Sequence, residues 1–128
     1  MKVNILGTEY TIEHRKAADD QKISEGCDGY CDTSVKLIVV EAMESEPNSK
    51  ADLEFYGKQV LRHEIIHAFM HESGLDANSC SFEGGWATNE EMVDWFAIQS
   101  PKIFRCFNQS IWAFTEPAEP PLSTPFAL

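Results

Sequence analysis

Two histidines four positions apart, His63 and His67, enclose a glutamate, Glu64, in the segment His63-Glu64-Ile65-Ile66-His67. Residues four apart on an α-helix share a face, so both imidazoles can bind a single Zn²⁺ at about 2.0–2.1 Å. In zinc hydrolases with this spacing, the glutamate takes a proton from the metal-bound water and delivers it to the leaving group, while the metal polarises the carbonyl. The spacing therefore predicts metal-assisted hydrolysis, with both histidines as ligands and Glu64 as general base and acid.

This chemistry requires a helix, and the surrounding sequence predicts one. Ser49, followed three residues later by Asp52, is typical of a helix start, and Gly74 stands where a left-handed C-cap would end the helix. Between these points there is no proline, and Gly57 is the only glycine. Apolar residues occupy most of the circumference, which predicts a helix buried almost all round, with its histidines facing an interior cleft.

A third histidine, His71, continues the four-residue series. Three histidines along a straight helix span about 12 Å at 1.5 Å per residue, which is too far for one ion. A ligand six residues after His67 is also excluded, because Ser73 occupies that position. His71 is therefore predicted to support the site, to line the cleft or to lie at the surface.

A catalytic zinc needs a third protein ligand and an open position. A second helix, predicted from Thr88 to about Gln99, offers acidic candidates. Glu91 has the spacing of a capping box with Thr88, so its carboxylate is predicted to turn back to the helix start. That leaves Glu90 to bind the metal. Asp94 shares a face with Glu90 and is predicted to accept a hydrogen bond from the second nitrogen of a ligand histidine.

Together the two helices resemble the gluzincin pattern. The first motif is followed by Asn89-Glu90-Glu91-Met92-Val93-Asp94, which is similar to the Asn-Glu-x-x-x-Asp segment that supplies the glutamate ligand and the supporting aspartate. The next residues, Asp94-Trp95-Phe96-Ala97, resemble a segment of small ImmA/IrrE-like metallopeptidases. The resemblance covers roughly residues 29–104.

Two other segments, Gly29-Tyr30-Cys31-Asp32 and Pro101-Lys102-Ile103, resemble short proteins carried by prophages of Gram-positive bacteria. One difference from the repressor-cleaving group is that Ile98-Gln99-Ser100-Pro101 stands where those enzymes often have Leu-Leu-Met-Pro. The resemblance therefore implies a prophage-associated metallopeptidase, and it does not support repressor cleavage.

The resemblance implies a zincin-like fold and a protein or peptide substrate. It implies that the strand from Val35 to Val40 binds an extended peptide at the cleft edge by β-augmentation. It also implies an electrophile for the oxyanion, for which Tyr30, Tyr56 and His71 are candidates that the sequence does not separate.

An alternative is a non-catalytic module in which zinc only stabilises the fold of a phage or mobile-element protein that binds another protein. This alternative predicts a closed zinc site whose fourth position is filled by a side chain such as Asp94 or Cys80.

The elements around the motif predict an α+β domain with a small, mostly antiparallel sheet. Alternating apolar residues in 1–13 predict a β-hairpin, and the β-branched run from Val35 to Val40 predicts a third strand. Residues 14–29 are predicted as a loop that can include a short helix, and residues 75–87 as a second loop.

Pro101 is predicted to stop the second helix and to begin a third that continues through Trp112. A single domain is predicted over residues 1–115, with a proline-rich tail at 116–128.

Composition limits the other possibilities. With 128 residues, of which 43% are hydrophobic, the chain is predicted to form one core. The net charge of −11 argues against nucleic acid as a partner. The first residues lack the apolar run of a secretory signal, and no run approaches the ~20 apolar residues of a membrane span, so the prediction is a cytoplasmic protein without membrane contact. The sequence does not indicate the oligomeric state.

The four cysteines are predicted to be free thiols. Cys27 and Cys31 are close in sequence, but Cys80 and Cys106 do not form the second close pair that a four-thiolate zinc site requires.

Overall fold

A computed structural model describes residues 1–79 and 85–109 of the protein, with side chains except at 78, 79 and 106–109. It contains a four-stranded sheet and helices, in agreement with the predicted α+β class. The strands are β1 (Lys2–Ile5), β2 (Thr8–Arg15), β3 (Gly29–Asp32) and β4 (Leu37–Glu41). The helices are α1 (Gln21–Ser24), α2 (Leu53–Glu72), α3 (Leu75–Ser79) and α4 (Glu90–Gln109), with 3₁₀ turns at Ala17–Asp19 and Trp86–Thr88. The chain divides into two compact units, Met1–Ile98 and Gln99–Leu128.

The predicted hairpin is confirmed. Strands β1 and β2 pair antiparallel around Leu6 and Gly7, which both have positive φ, at 50° and 91°. Two positive φ angles define a type I′ turn, whose twist matches that of the flanking strands.

The sheet has the order β1-β2-β4-β3, with β4 parallel to β2 and antiparallel to β3. It is therefore a mixed sheet. The β3 strand lies in the segment around residue 29 where the predicted loop ended, and the sequence analysis did not identify it. The predicted strand from Val35 begins later, at Leu37, because Lys36 has a positive φ of 56°.

This order corrects the predicted peptide-binding edge. Strand β4, which contains most of the segment from Val35 to Val40, has hydrogen-bonded neighbours on both sides. Both rows of its backbone groups are in use, so it cannot add a further strand. The edge of the described sheet on this side is β3.

Helix α2 packs on the sheet through one stripe rather than all round. Its buried residues are Val60, Glu64 and Ala68, spaced four apart, whereas Phe55 and Phe69 are 64% and 40% exposed. The prediction of a helix buried on nearly every side is therefore wrong. The stripe joins a core formed by the sheet residues Ile5, Tyr10, Ile12, Ile38 and Val40.

The start of α2 lies three residues later than predicted. Asp52 is the N-cap, and its carboxylate accepts a hydrogen bond from the Phe55 amide at 3.0 Å. The helix ends just before Gly74, whose φ is +84°, as the sequence predicted.

Helix α4 differs from the prediction at both ends of the predicted segment. Its N-cap is Asn89, whose side chain accepts from the Met92 amide at 2.8 Å, so the predicted capping box between Thr88 and Glu91 is wrong. The helix also continues through Pro101 instead of stopping there. Proline lacks the N–H that would bond the carbonyl of residue 97, and Arg62 donates to that carbonyl instead.

Several predictions reach beyond the described part of the chain. Residues 75–79, expected in a loop, form α3, and the rest of that loop falls partly in residues 80–84, which are not described. The end of the predicted third helix at Trp112, the domain limit at 115 and the tail at 116–128 lie outside the described residues.

The described thiols agree with the prediction, since Cys27 and Cys31 are free. Cys80 and the side chain of Cys106 lie outside the described part. Among the described helices, none has both the length and the apolar character needed to cross a membrane.

One carboxylate ties the end of α2 to the sheet. Glu72 accepts hydrogen bonds from Tyr10 at 2.7 Å, from Thr8 at 3.2 Å and from Lys36 at 2.7 Å. The hydrogen bonds from Lys36 and Tyr10 lower the pKa of Glu72 to about 2, and the bond from Thr8 adds a smaller lowering. Burial acts in the opposite direction.

We expect Glu72→Gln to lower the melting temperature at pH 7. We also expect the melting temperature of this variant to change less than that of the wild type as the pH falls. Because the pKa of Glu72 is depressed in the folded state, its stabilising effect is complete above about pH 4.5 and is lost as pH falls towards 2. Thermal unfolding between pH 2 and pH 7 measures this. The control is Glu9→Gln, which removes a carboxylate from a pair with Lys2 that is 65% exposed on both sides. An equal effect of the two substitutions would contradict the assignment.

Candidate metal centre

The two motif histidines and Glu90 meet at one point between α2 and α4. The Nε2 atom of His63 lies 3.1 Å from Nε2 of His67 and 2.9 Å from Oε2 of Glu90. The Nε2 atom of His67 lies 3.1 Å from Oε1 of Glu90. One ligand atom from each residue falls within 4.8 Å of the others. The structure thus brings together the three predicted ligands, although Glu90 follows His63 by 27 positions.

These distances and donor types fit a zinc ion. In a tetrahedral zinc site with bonds of about 2.0–2.1 Å, ligand atoms lie roughly 3.3 Å apart, and two histidines with one glutamate are a known catalytic set. The nitrogen–nitrogen and nitrogen–oxygen distances here are 2.9–3.3 Å. The cluster could therefore hold a divalent cation.

Asp94 lies one turn after Glu90 on α4. Its Oδ1 atom is 3.3 Å from Nδ1 of His63, the ring nitrogen that does not face the cluster. Carboxylates in this position commonly orient the imidazole of a metal-binding histidine by accepting a hydrogen bond from its second ring nitrogen.

Glu64 is one of two buried charged or polar residues among those described, with 7% of its surface exposed. Burial raises its pKa to about 7, with a smaller rise from Glu90 and an opposing effect of His63. The nearest approach of its carboxylate to His63 is 4.0 Å, between Oε1 and Nε2. A carboxyl group with this pKa can both accept and release a proton near neutral pH.

The edge strand β3 lies against α2 at Gly29, close to Glu64. A Cβ on Gly29 would be 2.8 Å from Cγ1 of Val60, 2.9 Å from the Val39 carbonyl oxygen and 3.4 Å from Cγ of Glu64. Only glycine permits this approach, so Gly29 sets how closely the sheet edge borders the site. This role was not predicted from the sequence, because residue 29 was placed at the end of a loop; within a strand, a glycine often marks close backbone contact.

A cleft of about 500 Å³ opens beside the cluster. Its lining includes both motif histidines, Glu64, Glu90, Gly29, Cys31 and Asp76. A smaller cavity of about 200 Å³ is also lined by Glu64 and His63, together with Asp28, Tyr56 and Asp94. Burial raises the pKa of the Cys31 thiol to about 12.

The three candidates for the oxyanion are each bound to a carboxylate. The Tyr30 hydroxyl donates to Asp20 at 2.6 Å, and the Tyr56 hydroxyl donates to Asp28. His71 pairs through Nδ1 with Asp76 at 2.8 Å. The structure brings none of these groups into the three-residue cluster, although Tyr30 and Tyr56 line the adjacent cavities.

Comparisons of the chain with protein-family models, with curated proteins and with solved structures gave no match. The functional inference therefore depends on the chemistry and geometry of the site.

We expect Gly29→Ala to destabilise the fold by about 1–3 kcal/mol, because the new methyl group overpacks against a backbone carbonyl that cannot rotate away. Urea unfolding measures the change. Gly57→Ala is the matched control, since a Cβ there meets nothing within 4 Å and alanine favours the helix by up to about 1 kcal/mol. Val60→Ala should cost less stability in the Gly29→Ala background than in the wild type, because it removes the side chain that the new methyl group meets at 2.8 Å. A Gly29→Ala protein as stable as the wild type would contradict the close approach.

Proposed function

We propose that the protein is a zinc metallopeptidase of the gluzincin type, similar to the ImmA/IrrE-like enzymes, that hydrolyses peptide bonds. The observation that supports this most directly is the convergence of His63, His67 and Glu90 beside the buried carboxyl group of Glu64. A two-histidine, one-glutamate donor set with an adjacent proton carrier is one of the arrangements that support hydrolysis at a zinc ion.

In the proposed enzyme, His63, His67 and Glu90 hold the ion and Asp94 orients the His63 ring. When bound, zinc supplies a Lewis acid that polarises a carbonyl and makes water more acidic. Glu64 takes a proton from water and passes it to the leaving amine. Its burial favours this role, because a desolvated carboxylate is a stronger base than an exposed one.

The substrate is proposed to lie along β3. This strand forms the edge of the described sheet, and its residues Gly29 and Cys31 line the cleft next to Glu64. An extended peptide could pair with the outer backbone groups of such an edge, as β-augmentation requires. The proposal therefore moves the peptide-binding role from the segment 35–40 to β3.

The position of Asp94 favours an enzyme over a module with a purely structural zinc. A structural site needs a fourth side chain among the ligand atoms. Asp94 contacts Nδ1 of His63 rather than the nitrogen within the cluster. The other candidate for the fourth position, Cys80, is outside the described residues.

We expect the zinc-loaded protein to cleave unfolded casein or members of a peptide library, and we expect a chelator to abolish cleavage. Glu64→Gln should reduce the rate by on the order of 10²–10⁴, because the proton carrier is lost, while zinc remains stoichiometric by atomic emission. Glu91→Gln is the control: it removes an exposed carboxylate beside Glu90 and should leave the rate unchanged. Cleavage by Glu64→Gln at the wild-type rate would refute the mechanism, and zinc binding without any cleavage would favour the protein-binding module.

His63→Ala should weaken zinc binding and abolish the stabilisation that zinc confers. Zinc at about 100 times its dissociation constant stabilises a folded protein by roughly 2.7 kcal/mol, so added zinc should raise the melting temperature of the wild type and not of this variant. His14→Ala, at an exposed histidine on β2, serves as the control. Stoichiometric zinc in His63→Ala would show that the ligand set is wrong.

A further inference from the structure

The carbonyl of Ala97 has lost its usual partner within α4. In an α-helix this carbonyl would accept a hydrogen bond from the N–H of residue 101, but Pro101 has no N–H. Ala97 is fully buried, so water cannot reach the carbonyl and replace the missing donor. A buried carbonyl in this situation requires a donor from elsewhere in the fold.

Helix α2 supplies that donor. The Nε atom of Arg62 donates to the Ala97 carbonyl oxygen at 2.6 Å. The guanidinium is charged, and hydrogen bonds from charged donors are shorter and stronger than those between neutral groups. Arg62 immediately precedes His63, so the bond joins α4 to α2 next to the metal cluster.

The same helix carries Glu90, seven residues before Ala97. Two helical turns separate them, so both lie on the side of α4 that faces α2, with buried Val93 between them. The Glu90 side chain is itself 70% exposed and has little packing to hold it in place. Its distance from the histidines therefore depends on how α4 is held against α2.

We propose that Arg62 is a positioning residue for the metal centre, and that Pro101 is what makes it one. Pro101 leaves the Ala97 carbonyl without a helical donor, and Arg62 donates a hydrogen bond to that carbonyl instead. This bond fixes the rotation of α4 about its axis and its position along α2. This contact holds Glu90 at a distance from His63 and His67 that suits one ion. The positioning role depends on the proposed zinc site, whereas the contact itself does not.

A double-mutant cycle on zinc affinity tests the positioning role. The zinc dissociation constant of the full-length protein is measured by competition with a chromogenic chelator for the wild type, Arg62→Ala, Glu90→Ala and the double variant. We expect Arg62→Ala to weaken binding by about 10–100-fold, as for other groups that orient a ligand, and to have little further effect once Glu90 is absent.

Two further variants separate positioning from charge. Arg62→Lys keeps the charge and one donor and should recover part of the affinity. Lys58→Ala removes a positive charge from the same helix, where Lys58 pairs with exposed Glu54, and should leave zinc affinity unchanged. Equal losses from Arg62→Ala with and without Glu90, or no loss at all, would overturn the positioning role.

A second cycle tests the contact without metal or activity. Pro101→Ala restores an N–H that can bond the Ala97 carbonyl, so Arg62→Ala should then lower the melting temperature of the metal-free protein by fewer degrees than it does with Pro101 present. The same decrease in both backgrounds would show that the Ala97 carbonyl is not the link. A wild type that binds no zinc would overturn the proposed function together with the positioning role; zinc binding without coupling to Glu90 would overturn the positioning role alone.

Discussion

Helix α2 has to meet two partners at once, and the rest of the site depends on this constraint. Its stripe of Val60, Glu64 and Ala68 packs on the sheet, while His63 and His67, on a neighbouring stripe, face α4. Glu64 is the only charged member of the buried stripe. Burying a carboxyl group is costly, and here the buried carboxyl group lies beside two imidazoles.

Features set by residues close in sequence could be predicted. The hairpin around Gly7, the end of α2 before Gly74 and the shared face of His63 and His67 all follow from local backbone geometry. Features that depend on distant partners could not. Strand β3 is defined by its pairing with β4, and the Ala97 carbonyl that Pro101 leaves without a helical donor is bonded by Arg62 of α2. Neither partner is visible in the local pattern.

The same distinction applies to the candidate site. Residue type and spacing were enough to predict that Glu90 and Asp94 lie together beside His63, because residues four apart share a helix face. They were not enough for the tyrosines. A hydroxyl near a cleft looks available until its acceptor is known, and Tyr30 and Tyr56 both donate to aspartates. Gly29 was missed for the same reason, because its role depends on Val60, a residue distant in sequence whose side chain would clash with a Cβ at position 29.

The two parts of the cluster, the histidines on α2 and Glu90 on α4, are held in place by different contacts. Helix α2 is fixed near its start by the Tyr56 bond to Asp28 and at its end by Glu72, which binds Thr8 and Tyr10 of β2 and Lys36, the residue before β4. The side chain of Glu90 is 70% exposed, so apart from its contacts with the two histidines its position depends on the placement of α4. If zinc binds as proposed, it would link α2 to α4 through their ligands, and its binding energy would add to the stability of the fold. Metal affinity would then depend on the packing of α4 as much as on the ligands themselves.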